Sequence, residues 1–476
     1  MSDRLTLIAG YIGLDEGLAV HNPADGQHIA TVRDWSPDDV REAITKADAA
    51  FKIWSKHTAK ERAAILQRWY QLIMDHQEQL ALIATMECGK PLAESRGEVA
   101  YGASFVEWFA EEGKRTYGDT IPTHSAGKRI MTLKQPIGVI SAITPWNFPV
   151  AMITRKIAPA LAAGCTAIVK PAEATPLSAL ALEVLARKAG VPDDVFTVVT
   201  TRDPVKVGKV LSTDPTIRKL SFTGSTAVGK ILMQQAATTV KKTSMELGGN
   251  APFIVFDDAD IDAAIAGAMA SKYRNAGQTC VCTNRFFIQD GIYDEFVSRF
   301  TAEVATLKIG DGRDAATRIG PLINEAAVQK VENMVSASVA AGADLLLGGS
   351  RHPAGDNFYA PTLLGNVTMD MPVANAEIFG PVAPIIRFSH EDEVIKAAND
   401  TPYGLAAYVY SRDLGRVWRM MEALEYGMVG INEGILSTEV APFGGIKQSG
   451  IGREGASCGI DEYMEIKYCL IGGLDR

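Results

Sequence analysis

"IRKLSFTGSTAVGKILMQQA", residues 217–236, reads as a strand, a tight turn and a helix in twenty residues. The turn is not G-x-G-x-x-G, because only Gly224 and Gly229 are present. Two readings stand side by side. The glycines allow close packing of the helix on the strand, or Ser225 and the amides at the helix N-terminus face a diphosphate. Working outward, the same alternation recurs. "RIMTLKQPIGVISAIT" (129–144) is a strand broken at Pro136–Gly138, and "ALAAGCTAIVKP" (160–171) is a helix end followed by a buried strand that stops at Lys170 and Pro171. "PLSALALEVLARKAG" (176–190) is an amphipathic helix closed by Gly190, and "DVFTVVT" (194–200) is a strand. Repeated strand and helix predict a parallel sheet covered on both faces, an α/β fold.

Upstream, "SPDDVREAITKADAAFKIW" (36–54) has Ser36 as N-cap, and "KERAAILQRWYQLIMDHQEQLALIATMEC" (60–88) continues in helical period, so two long helices are expected to open the fold. Downstream, the cycle restarts after Gly248-Gly249. "APFIVFDD" (251–258) and "NRFFIQD" (284–290) read as strands, while "DIDAAIAGAMASKYRNAG" (260–277) and "YDEFVSRFTAEVATL" (293–307) read as helices. The glycine pair is therefore the expected domain boundary. A chain of 476 residues exceeds what one core supports and predicts two or three domains.

Composition narrows the function. The net charge of -9 with no basic block argues against nucleic acid. The start, "MSDRLTLIAG", lacks a charged segment leading into a long apolar one, which predicts the cytoplasm. No apolar run is long enough to span a membrane. Of six cysteines, Cys88, Cys165, Cys458 and Cys469 are scattered, which suits neither a disulfide framework nor a metal site. Cys280 and Cys282 sit one residue apart, closer than the usual zinc spacing, and no histidine lies near in sequence. Read as strand, 280–282 would put both thiols on one side, as a strained, reducible redox pair or as simple packing. Lys170 at a strand end, with Glu173 three residues on, is either a pair for ribose hydroxyls or a solvated loop pair.

Seven collinear segments decide among these. "TPWNFP" (144–149), "KPAEATP" (170–176), "FTGST" (222–226), "MELGGN" (245–250), "RNAGQTC" (274–280), "EIFGP" (377–381) and "PFGG" (442–445) together resemble the aldehyde dehydrogenase superfamily. The match runs from about Asn22 to Lys467, and "WFAEEGKR", "MITRK" and "YRNAGQTCVC" look most like bacterial succinate-semialdehyde dehydrogenases. The resemblance implies a Rossmann-type NAD(P)-binding domain (1–120 and 140–246), an α/β catalytic domain (247–458) and a small β oligomerisation arm (121–139 and 459–476). A homo-oligomer, dimer or tetramer, follows.

The same resemblance implies site roles. Cys280 matches the nucleophile, Asn147 the oxyanion donor together with the Cys280 backbone N–H, and Glu246 the general base that activates water. Ile143, Trp146, Lys170, Glu173, Ser225, Glu377 and Phe379 match cofactor contacts. NADP-preferring relatives have a small residue at the place of Glu173; a carboxylate there would repel a 2'-phosphate, so NAD is expected to be preferred and NADP usable. Arg155, Arg274 and Ser437 match residues that hold the substrate's distal carboxylate. They imply a small anionic aldehyde: succinate semialdehyde first, with glutarate semialdehyde and sulfolactaldehyde fitting the same positive pocket. A coenzyme A-acylating enzyme and a non-catalytic binding protein are the alternatives. Glu246 argues against the first, and the intact Cys280, Asn147 and Glu246 argue against the second.

Overall fold

The computed structural model describes residues 5–475; Met1–Arg4, which begin the stretch read above for a leader, lie outside it. Four helices open the main body rather than two. Ser36 caps Pro37–Trp54 as expected, its Oγ accepting from Asp39 N at 3.2 Å while the Asp39 carboxylate accepts from Ser36 N at 2.9 Å. This reciprocal box is worth about 1 kcal/mol. The run expected to be one helix from Lys60 to Cys88 is two, Ala59–Asp75 and Gln77–Cys88. They break at His76 (φ -107°, ψ 19°), whose ring is within hydrogen-bond distance of Leu72 O, at 2.8 Å. Gly89, at φ 87°, turns the chain into Leu92–Glu112. A hairpin of Leu18–His21 and His28–Val32 precedes them all.

The first sheet has six strands in the order Gly450–Ile451, Lys242–Glu246, Ile217–Thr223, Val139–Ile143, Thr166–Lys170, Phe196–Val198. The last five are parallel. Chain order reverses at Val139–Ile143, so a crevice opens beyond the carboxyl ends of the strands there. Register brings four strand-terminal residues to that edge: Ile143 lies opposite Lys170, and Thr223 opposite Glu246. The helix after Ile217–Thr223 is Thr226–Ala236, capped by Ser225. A Cβ on Gly229 would come within 2.5 Å of Leu247, so this glycine serves close packing.

The second sheet has seven strands in the order Asp344–Leu347, Thr362–Gly365, Val382–Phe388, Thr283–Gln289, Ala251–Val255, Ala406–Tyr410, Met428–Ile431, with only the first antiparallel. Its core includes Phe253, Phe286, Phe287, Ile385 and Tyr408, buried on both faces as parallel strands require. The chain passes between the sheets at Leu247–Asn250, but the division is not clean. Gly450–Ile451, expected in the catalytic domain, pairs antiparallel with Lys242–Glu246 in the first sheet. A third, three-stranded antiparallel sheet joins Thr120–Ile121, Arg129–Pro136 and Met464–Ile471, with Ile466 and Tyr468 exposed. Among the described residues, no helix is long and apolar enough to cross a membrane.

Candidate active site

The site forms where the carboxyl edge of the first sheet faces the approach to Thr283–Gln289. The helix Ile261–Tyr273 ends four residues earlier than its period suggests. Asn275 (φ 50°), Ala276 (φ 54°) and Gly277 (φ 75°) then make a left-handed turn. A Cβ on Gly277 would collide with Gly380 O. Two of these three residues carry a Cβ in a region costly for it, about 1–2 kcal/mol each, so neighbours must hold the turn. Glu94 does so, accepting from Asn275 N at 2.7 Å, and Gln278 ties on through Nε2 to Asn275 O at 3.1 Å and Oε1 from Ile323 N at 3.0 Å.

The strand expected through Cys280 and Cys282 does not begin until Thr283; 280–282 is a turn closed by Cys282 N donating to Thr279 O at 3.0 Å. Both are free thiols. Cys280 is partly exposed in a cavity of about 250 Å³, while Cys282 is buried behind it, its Sγ donating to Thr283 O at 3.3 Å and Lys272 O at 3.5 Å.

Trp146, Asn147, Ser225, Cys280, Glu377 and Phe379 line this one cavity together with Met152, Gly248 and Lys330. Asn147 Nδ2 donates to Gln278 O at 2.9 Å, using one of its two N–H groups. Its backbone carbonyl is fixed by Lys90 Nζ at 2.7 Å and Asn275 Nδ2 at 3.2 Å. Lys90 is itself buried and paired to Glu98, which also accepts from Val150 N at 2.7 Å. Glu377 Oε1 accepts from Gly249 N at 3.0 Å. The Trp146 and Phe379 rings meet edge to face at 5.7 Å.

Burial pushes the Cys280 thiol up to about 12, against the pull of Arg155 and with Glu377 and Glu246 adding to the rise. The resting group is a thiol, and attack needs a proton acceptor. Glu246 lies beside this cavity rather than among its lining residues: its carboxyl abuts Gly444, and Oε2 is buried with no hydrogen-bond partner among the described residues. Burial and the neighbouring Glu454 raise its carboxyl well above the usual range, with Arg155 and Lys156 opposing.

Arg155 also sits outside the lining. It is fully buried, with Nε donating to Glu454, and its guanidinium lies 4.2 Å from the Phe443 ring. Lys156 pairs with the other Glu454 oxygen. Arg155 Nη2 is buried with no partner among the described residues. Arg274 is half-buried over Phe148 at 5.2 Å, and Ser437 is half-buried in the irregular segment after Met428–Ile431. Lys170 and Glu173 form an ion pair at the sheet edge beside Ile143. Glu454, Lys156, Lys90, Glu98 and Lys330 are not readable as site residues from the sequence. Only Lys156, next to Arg155, had a signal, as a second cation on the same helix Ala151–Ala163. Among the described residues, no group of His, Cys, Asp and Glu side chains is arranged to hold a metal ion.

A thiol, a side-chain amide and a helix N-terminus in one cavity have a counterpart among known proteins. Residues 13–469 match the model of the aldehyde dehydrogenase family. The chain belongs to that family. It is 57% identical over 468 residues to 3-sulfolactaldehyde dehydrogenase of Pseudomonas putida, covering 98% of this chain and 96% of that protein. It is 56% identical over 466 residues to glutarate-semialdehyde dehydrogenase of Pseudomonas aeruginosa, covering 98% and 96%. The crystal structure of succinate-semialdehyde dehydrogenase from Burkholderia pseudomallei superposes with a TM-score of 0.96 at 57% identity over 98% of each chain. The aldehyde dehydrogenase is therefore an oxidoreductase that uses a nicotinamide cofactor, with the family's α/β architecture. The cavity fits that group. Its walls combine the flat rings of Trp146 and Phe379 with Gly224, Ser225 and Gly248, where backbone and helix amides can approach phosphate closely.

Proposed function

We propose that the enzyme oxidises a small anionic semialdehyde, with succinate semialdehyde as the first candidate. The observation that carries this reading is Arg155 Nη2, a buried donor without an acceptor, on a guanidinium whose charge acts on Cys280. Glu454 balances the charge of Arg155, but a buried N–H without an acceptor among the described residues is costly, and a substrate anion would satisfy it. Arg274 and Ser437 add donors from the partly exposed side. Glutarate semialdehyde differs by one methylene, and sulfolactaldehyde offers sulfonate oxygens to the same donors.

In this mechanism the Cys280 sulfur forms a bond to the aldehyde carbon while its proton passes to the ionised Glu246, which releases it to solvent before the hydrolytic step. The second N–H of Asn147 and the Cys280 amide receive the oxyanion. When bound, the nicotinamide supplies the hydride acceptor that converts the cysteine thiohemiacetal to a thioester. Glu246 then takes a proton from the water that hydrolyses it. Its backbone is pinned between Thr223 and Gly450, so the carboxylate reaches that water by side-chain rotation away from Gly444. Water rather than coenzyme A is the acceptor, as a base at this position serves hydrolysis. The exposed edge strand Met464–Ile471 supports assembly into a homo-oligomer.

The test is kcat/KM for succinate semialdehyde, glutarate semialdehyde, sulfolactaldehyde and butyraldehyde. Arg155→Ala is expected to lose on the order of 30-fold or more on the anions, from about 2–5 kcal/mol of lost pairing. The loss on butyraldehyde should be much smaller, and equal losses on all four would remove the anionic reading.

Glu173 supports a preference for NAD, since a half-exposed carboxylate paired to Lys170 can accept from ribose hydroxyls and repels a 2'-phosphate. In Glu173→Ser the ratio of kcat/KM with NADP to that with NAD should rise. An unchanged ratio would assign the preference to another residue.

A further inference from the structure

Tyr101 lies on the helix Leu92–Glu112, and its ring packs against the small apolar cluster of Phe148, Ala151 and Met152. Met152 lines the cavity that holds Cys280, and Phe148 carries Arg274 over its face. The ring also meets Phe105 edge to face at 5.0 Å. The Tyr101 hydroxyl is buried beside Arg155, which can donate to its oxygen, but its own proton has no acceptor among the described residues. Two cations bear on it: Arg155 and Arg274 both oppose the effect of burial on the phenol, while burial keeps it protonated and therefore a donor.

Such a hydroxyl has an unmet requirement. It can accept from Arg155, but its own proton then still needs an acceptor, and neither arginine has one to offer. A buried O–H left unsatisfied costs about 1–3 kcal/mol. Even when one Arg155 Nη2 N–H donates to the phenol oxygen, the second N–H and the phenol proton both lack an acceptor, and one group with two acceptor oxygens would serve both. We infer that Tyr101 is a specificity-determining residue whose hydroxyl donates to the distal anion of the substrate, completing the site begun by Arg155 and Arg274. This rests on the anionic-semialdehyde reading and adds to it a donor that comes from a different helix. The shared chemistry is a carboxylate or sulfonate carried on a short aldehyde.

The test compares Tyr101→Phe and Arg155→Ala with the parent enzyme on succinate semialdehyde, sulfolactaldehyde and butyraldehyde. Phenylalanine keeps the ring packed on Phe148 and Met152 and removes only the hydroxyl, so thermal unfolding of Tyr101→Phe should match the parent. The expected result is a loss of kcat/KM on one or both anions about tenfold or more beyond that on butyraldehyde, as for a hydrogen bond to a charged group. The loss should fall mainly on KM, because the hydroxyl meets the anion and not the reacting carbon. A loss confined to sulfolactaldehyde, or to succinate semialdehyde, supports the inference and names the anion. Equal loss on butyraldehyde, or no loss on either anion, overturns it. The two readings fail separately: a selective Arg155→Ala with an unselective Tyr101→Phe rejects the tyrosine alone, whereas an unselective Arg155→Ala rejects the anionic substrate itself.

Discussion

Cys280→Ala is expected to lose turnover by on the order of 10⁴-fold or more while still binding the nicotinamide cofactor. The size follows from the absence of a substitute. Cys280 is the one thiol among the cavity's lining residues, and Cys282 is turned inward, its sulfur donating to two carbonyls. Nucleotide affinity should be retained because the walls formed by Trp146, Gly224, Ser225 and Phe379 do not depend on the thiol. Reduced nucleotide formed at a tenth of the parent rate, in a preparation free of parent enzyme, would remove Cys280 from the chemistry.

The second large effect is expected at Glu246. Glu246→Gln should form the thioester and then hydrolyse it about 10²- to 10⁴-fold more slowly, the range general bases supply. Intact-protein mass spectrometry after substrate and nucleotide should show acylated enzyme as the main species. The pH dependence gives an independent check. Burial and Glu454 hold the Glu246 carboxyl protonated into a range where carboxylates are normally ionised, so the basic form grows as pH rises. Thioester hydrolysis by the parent should accelerate with pH through that range, and the glutamine variant should lose this dependence. Rapid multiple turnovers without trapped adduct would reassign the base.

Both residues could be proposed from sequence because each sits in a short segment whose order along the chain resembles the family. The fold was legible for a different reason: strand and helix periods are local, as at Ser36 or across 217–236. What was not legible depends on contacts between distant segments. Glu454 meets Arg155 across 299 residues, and no spacing rule reaches that far. Lys330, on the helix Glu325–Ala340, donates to Glu377 O at 2.8 Å across a stretch that shows no motif of its own. The turn at Asn275–Gly277 defeats helical periodicity because the tertiary anchors of Glu94 and Gln278 outweigh local preference. The break at His76 carries no glycine or proline to announce it. Gly450–Ile451 is too short to register as a strand at all.

That two-residue strand has a mechanical consequence. Beyond pairing with Met245 and Glu246, the returning chain clamps the crossing between sheets: Leu247 N donates to Ser449 O at 2.9 Å, Ser449 Oγ to Gly248 O at 2.6 Å, and Gly404 N to Ser449 Oγ at 2.9 Å. A crossing held by one covalent thread could serve as a hinge; this one is bolted from the far side by residues that arrive some two hundred positions later. Rotation of one lobe against the other about Leu247–Gly249 would have to break all of these bonds together. The joint thus braces the stretch that runs from Glu246 into the second sheet on two sides, through the chain itself and through Ser449.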